Sequence, residues 1–171
     1  MKKTILFLTT LLFIFLTITK TIAQSAADQL RKSEIDKSYW AEISRTVKEG
    51  DFEGYKATCH ENAVLVTTSG KNKQSYPMTK ALAGWKQGFL NTKQGKQMDN
   101  VQFRFSQRIG DETTAHEMGI FYFTSHDSTG KLISEGYTHL EALLVKRDGK
   151  WLCLMEYQKA KASKEEWEAL K

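Results

Sequence analysis

The stretch Ala115–Tyr157 alternates apolar and polar residues for most of its length, yet Glu117 falls among the apolar positions. A carboxylate on the enclosed side of a sheet loses its water, which disfavours the charged form and fits it for acid or base work near neutral pH. Tyr157, on the same side by parity, could donate a hydrogen bond to a developing oxyanion. Glu117 and Tyr157 are therefore the candidate catalytic residues, suited to proton transfer or hydration on a small apolar molecule. Asp36, Trp40, Tyr55 and Trp85 from helical segments, with Phe105, Phe121, Leu140 and Met155 from strands, are the candidate cavity wall. The competing reading makes Glu117 structural, held by Arg104, a lysine or backbone groups. The residues alone do not decide whether the protein is an enzyme.

Other constellations are weaker. On the opposite parity, His116 is expected opposite Glu141, with Glu156 beyond and His139 one step along. Such a row could bind a divalent metal in principle, but ordinary cross-strand charge pairing explains it more simply. No metal and no cofactor are expected. His60 and His126 fall at an expected helix end and loop, where solvation is the default. Serine nucleophile elbows, phosphate-cradling glycine loops and His-based metal motifs are absent from the sequence. Cys59, placed late in a helical segment, and Cys153, placed mid-strand, are the only cysteines. They read either as a disulfide in an oxidising compartment or as two small buried apolar residues.

These residues must be positioned by helices first and strands after. Ile35, Tyr39, Trp40, Ile43 and Val47 recur at helical spacing, so a long amphipathic helix is expected from Leu30 to Val47, ending at Gly50. Asp51 is expected to cap a shorter helix carrying Phe52, Tyr55 and Cys59 on one face. "AVLVTTSG" reads as a strand, "KNKQSYP" as a polar loop, and Thr79 as the cap of a third helix lined by Leu82, Trp85 and Phe89. Period-two strands are expected near 99–109, 113–126, 131–147 and 150–159, separated by "GDE", "DSTG" and "DG". A short charged helix, "SKEEWEALK", closes the chain. The class is α+β.

Turn lengths then set register. A two-residue loop at Asp148 and Gly149 pairs Leu144 with Cys153, Ala142 with Met155 and Leu140 with Tyr157. A four-residue "DSTG" loop pairs Ala115 with Ala142, Glu117 with Leu140 and Gly119 with Thr138. A three-residue "GDE" loop sets Phe105 opposite Glu117 and Phe103 opposite Gly119. One face thus gathers Val101, Phe103, Phe105, Ala115, Phe121, Leu140, Ala142, Leu144, Trp151, Cys153, Met155 and Tyr157, with Glu117 its only charge. The other collects Arg104, Arg108, His116, Met118, His139, Glu141, Glu156 and Gln158.

The N-terminus, "MKKTILFLTTLLFIFLTITKTIAQS", has Lys2 and Lys3, an apolar run from Ile5 to Ile18, and small residues before Ala23. It reads as a signal peptide over 1–23, too short for a membrane span, leaving a single domain over 24–171. Export to the periplasm or outside the cell is expected, with no membrane attachment after cleavage. Cleavage removes three lysines and no acid, so the formal charge falls from +5 to +2. Without a basic arm or stripe, no nucleic-acid partner is expected.

With these elements in order, "IDKSYWAEISRTVKEGDFEGYKATCHENAVLV", "ALAGWKQGF", "GDETTAHEMGIFYF" and "VKRDGKW" together resemble the nuclear transport factor 2-like superfamily, also called SnoaL-like or ketosteroid isomerase-like. The likeness is to its uncharacterised exported bacterial branch. The resemblance implies a cone in which a strongly bent, mostly antiparallel sheet, as in cystatin-like folds, wraps around a long N-terminal helix and two shorter helices. It also implies an end cavity and pairing as a homodimer through the sheet. Function is not implied, because this fold hosts isomerases, cyclases, dehydratases, hydrolases and binding modules. The catalytic sets of steroid isomerases and polyketide cyclases do not match closely enough here to be carried over by position, and none is transferred. The expected partner is a small apolar or amphipathic molecule held in the cavity. The alternative is a dimeric, non-enzymatic interaction module working through the outer sheet face.

Overall fold

The computed structural model describes residues 24, 26–70 and 73–170. The expected signal peptide, residues 1–23, lies outside them. Residues 26–49 form one continuous helix, α1. It is α-helical over 26–35, widens into a π turn over Asp36–Trp40, and continues as Ala41–Glu49. Gly50 ends it in the left-handed conformation (φ 67°), its amide bonding the carbonyls of Thr46 and Val47. Asp51 accepts a hydrogen bond from the Gly54 amide at 2.9 Å and caps α2, Phe52–Lys56.

The strands are β1 Cys59–Thr67, β2 Gln74–Pro77, β3 Gln97–Gly110, β4 Thr114–Asp127, β5 Leu132–Arg147 and β6 Lys150–Ala162. Helix α3, Met78–Lys93, follows β2, and α4, Lys164–Ala169, follows β6. The sheet order is β2-β1-β6-β5-β4-β3, with β1 parallel to β6 and the other neighbours antiparallel. Helices α1–α3 cover one face, where Ile35, Ile43, Leu65, Leu82, Leu144 and Trp151 form the heart of the core. On the other face, Trp167 of α4 packs near the stacked rings of Tyr122 and Tyr137. Arg104 holds that helix end by donating to the carbonyls of Trp167 and Leu170 at 2.9 and 3.0 Å.

Several local expectations are corrected. Cys59 does not sit late in a helix: it opens β1 and faces Cys153 across the parallel ladder, and both thiols are free. The "QSYP" segment is an edge strand rather than a loop, and α3 is capped at Pro77, not Thr79, without a side-chain bond. Pro77 suits both places, because neither a sheet edge nor a helix start needs the amide hydrogen it lacks.

The two-residue β5–β6 turn is as expected: Arg147 pairs with Lys150 across Asp148 and Gly149, whose φ values of 50° and 75° make it a primed turn. Beyond it, Leu144 faces Cys153 but Leu143 faces Met155, so Leu154 is an extra residue in β6. Ala142 therefore pairs with Glu156, Glu141 with Tyr157 and Leu140 with Gln158. This bulge turns Glu156 and Gln158 inward and Met155 and Tyr157 outward, reversing the expected sides.

A second bulge sits in β3. The turn to β4 is longer than "GDE", because the Asp111 carboxylate accepts from the amides of Thr113 and Thr114, both at 2.8 Å. Arg108 then pairs with Glu117, and Ser106 is the extra residue that restores the expected parity, leaving Phe105 opposite Gly119 rather than Glu117 and Phe103 opposite Phe121 rather than Gly119. Arg108 is thereby inside rather than outside. The β4–β5 register is two residues from expectation, with Glu117 opposite Ala142 and Gly119 opposite Leu140. A five-residue turn and the extra residue Ile133 each add one position, so parity survives.

Candidate functional site

Glu117 faces inward, and it is sealed. Its side chain has 0 % exposure. Arg108 Nε donates to Glu117 Oε2 at 2.5 Å and Trp40 Nε1 to the same oxygen at 3.3 Å, while Oε1 has no partner. Arg108, itself 14 % exposed, also bonds Asp36 Oδ2 at 3.0 Å. Close by, Arg31 donates to the carbonyls of Gly110 at 2.5 Å and Arg108 at 3.4 Å. The pKa of Glu117 is raised because burial outweighs the pull of Arg108 and Trp40 in the other direction. With a guanidinium against it and no opening to a cavity, this acid clamps α1 onto the β3–β4 hairpin.

The cavity lies further along α1, with a volume near 510 Å³. The helices contribute Tyr39, Trp40, Tyr55, Trp85 and Phe89; the sheet contributes Phe103, Phe121 and Phe123, with Leu140 and Ala142 between. Gly84 and Gly88, one turn apart on α3, also line it. A Cβ at Gly84 would meet nothing within 4 Å, and one at Gly88 only Gln97 Nε2 at 3.8 Å. Each glycine costs a helix interior about 1 kcal/mol relative to alanine, so helix stability is given up here for a thin wall.

Glu156 is the acid of this cavity. Its carboxylate accepts one hydrogen bond, from Gln158 Nε2 at 2.6 Å, and no cation pairs with it among the described residues. It sits deep among protein atoms, yet its residue is not closed to solvent, because the exposed part borders the cavity. Burial raises its pKa and the Gln158 bond only partly offsets that. Tyr39, Tyr55, Cys59 and Cys153 surround it. Their phenols and thiols are pushed up, by burial first and by the charge of Glu156 in addition, Cys59 to about 11. The thiols are therefore protonated and poor nucleophiles.

Of the expected wall, Trp40, Tyr55, Trp85, Phe121 and Leu140 line the cavity. Three do not. Asp36 is half exposed on Arg108; Phe105 is packed at 5.1 Å from the Trp40 ring, behind the lining; Met155 is turned out by the Leu154 bulge. Tyr157 is turned out too and accepts from Thr68 Oγ1 at 3.3 Å, so it cannot serve an oxyanion beside Glu117. Glu156 was missed because one inserted residue reverses its side. The available trace was that Leu152, Leu154 and Met155 are apolar on both parities, a break in alternation that a bulge explains.

The outer row also changes. His116 pairs in register with Leu143, but its Nε2 lies 3.3 Å from Glu141 Oε2, and Lys159 takes the other Glu141 oxygen. His139 meets Glu166 of α4 instead. With Glu156 on the far side of the sheet, this is charge pairing. Among the described residues no group of three or more His, Cys, Asp or Glu is placed to hold a metal ion.

No protein-family model matches the chain, and no curated protein matches it in sequence. Solved structures do match in shape. An NTF-2-like protein of unknown function from Shewanella oneidensis superposes with a TM-score of 0.59 at 14 % identity, covering 75 % of this chain and 98 % of its own. A protein of unknown function with a cystatin-like fold from Nostoc punctiforme gives 0.52 at 18 % identity, covering 79 % and 93 %. A Catenulispora acidiphila protein in complex with S-DNPA gives 0.56 at 16 % identity, covering 77 % and 93 %. The expected α+β fold is thus the observed one: an open six-stranded sheet over helices, of the nuclear transport factor 2-like kind.

Proposed function

We propose that this chain, which has the nuclear transport factor 2-like fold, binds a small, largely apolar molecule in its aromatic-lined cavity, with Glu156 rather than Glu117 as the ionisable contact. The observation that carries this is a cavity near 510 Å³ holding a desolvated carboxylate with a single amide donor. A merely structural acid is paired, as Glu117 is; a desolvated acid left facing empty space lowers stability and is characteristic of functional sites. The Catenulispora structure, of similar shape, holds a ligand, which supports the use of this fold for small molecules. Proton transfer is a second reading, favoured by the raised pKa of Glu156, since a carboxyl titrating nearer neutrality can both take and give a proton. The apolar N-terminal run supports an exported protein.

Titration with the uncharged dye Nile red tests the binding site. The parent chain is expected to bind it saturably. Gly88→Trp fills the cavity from α3, where no neighbour lies closer than 3.8 Å to the new Cβ. That variant is expected to lose binding without a lower Tm. Unchanged binding in Gly88→Trp would place the dye elsewhere and remove the proposal.

A further inference from the structure

The cavity wall carries charge of one sign. Among the described lining residues, Glu156 in the interior and Asp99 toward the start of β3 are the charged side chains, and no lysine, arginine or histidine reaches the lining. Asp99 Oδ2 accepts from Gln97 Nε2 at 2.8 Å and Thr92 Oγ1 at 3.1 Å, while Oδ1 is buried without a partner. Glu156 uses one oxygen for Gln158, and its other oxygen has no donor among the described residues. Around them stand eight aromatic rings, whose faces are negative ends of quadrupoles.

These features discriminate among guests. An anion would meet two carboxylates and no cation. A neutral hydrocarbon would displace the remaining water from Glu156 and offer it nothing. A positive charge on an apolar body supplies the missing partner of the carboxylate and stands among the aromatic side chains of the wall. Because Glu156 is packed among protein atoms, the attraction is stronger than between exposed charges.

We infer that the cavity takes a lipophilic cation, an amine or quaternary ammonium on an aromatic or alkyl body, with Glu156 as its counter-ion and the aromatic rings as its cage. This rests on the cavity being the binding site, as proposed above. Gln158 holds the carboxylate in place, and Asp99 attracts the charge at entry.

Three probes sharing one ring system test it: 2-(1-naphthyl)ethylamine, 2-(1-naphthyl)ethanol and 1-naphthylacetate, which are positive, neutral and negative at neutral pH. Calorimetric titration of the parent protein is expected to rank the amine about tenfold or more above the alcohol, roughly 1.4 kcal/mol, with the acetate weakest. Glu156→Gln keeps the side-chain volume and is expected to bring the amine down to the alcohol's affinity while moving the alcohol by less than about twofold. Asp99→Asn is expected to weaken the amine by a smaller factor. The ranking in the parent needs no variant to fold. Equal binding of amine and alcohol, a preference for the acetate, or an amine preference that survives Glu156→Gln overturns the charge assignment and leaves the cavity reading standing. Binding of none of the three overturns both.

Discussion

Two glutamates on the same face of one sheet, Glu117 and Glu156, occupy opposite situations. Glu117 has a guanidinium, an indole N–H and no solvent; Glu156 has one amide and a cavity in front of it. Burial raises the pKa of both. A shifted pKa therefore does not separate an acid that fastens from an acid that receives. What separates them is whether the compensating charge is already part of the protein.

The sharpest way to break this comparison is to remove that compensating charge. Arg108→Leu strands Glu117 in the core. Deleting one member of a buried pair costs several kcal/mol; protonation of Glu117 limits it here to about 3 kcal/mol. The expected fall in Tm is roughly 6–12 °C, read by calorimetry. Nile red binding, measured well below that transition, is expected to persist. If dye binding vanishes while the variant is still folded, the two regions are not separate.

Gly119→Ala attacks the same region through the backbone. Gly119 faces Phe105 beside the β3 bulge, and a Cβ there would overlap the Arg104 carbonyl oxygen and lie 2.9 Å from Phe105 Cα. The bulge must shift, carrying Arg108 with it, at an expected cost of about 2 kcal/mol. Equilibrium urea unfolding checks this. No loss of stability would mean that the bulge does not lean on Gly119.

The smallest effect is at Glu156. Glu156→Gln is expected to leave stability within about 1 kcal/mol of the parent, equal or higher, because no internal charge pair is lost. The pH dependence has a definite sign. A carboxyl with a raised folded-state pKa destabilises the native protein once it ionises. Its relative stabilisation is full below the unfolded pKa, about 4.3, and is lost as pH rises through the folded value. The difference in Tm between Glu156→Gln and the parent should therefore grow in favour of the variant from pH 4 upward, then level off. Carboxylates held down by hydrogen bonds, such as Asp51 and Asp111, act in the opposite direction in both proteins and cancel in the difference. A flat difference would show that Glu156 is not desolvated.

Much of the fold was legible because its signals are local. The Ile35–Val47 spacing, Gly50, the Asp51 cap and the Asp148–Gly149 turn each act within a few residues. The inward side of Val101, Phe103, Phe105 and Glu117 was legible as well, because alternation is unbroken there. The site was less so. Single extra residues at Ser106 and Leu154 reverse the side of the residues that follow, which turns Arg108, Glu156 and Gln158 inward and Tyr157 outward. Alternation cannot count an inserted residue where both parities are apolar, as across Leu152–Met155. Ile109 shows the cost: by parity it belongs inside, and it is 52 % exposed. The π turn at Asp36–Trp40 is a comparable one-residue widening in α1, and no spacing rule anticipated it.

Trp40 belongs to both regions: its ring forms part of the cavity wall while its Nε1–H holds Glu117. A guest long enough to push the indole aside must also pull a donor away from Glu117, leaving that buried carboxylate to Arg108 alone. Displacing the indole is therefore costly, and longer guests are expected to extend toward exposed lining residues such as Ile133 and Ser134.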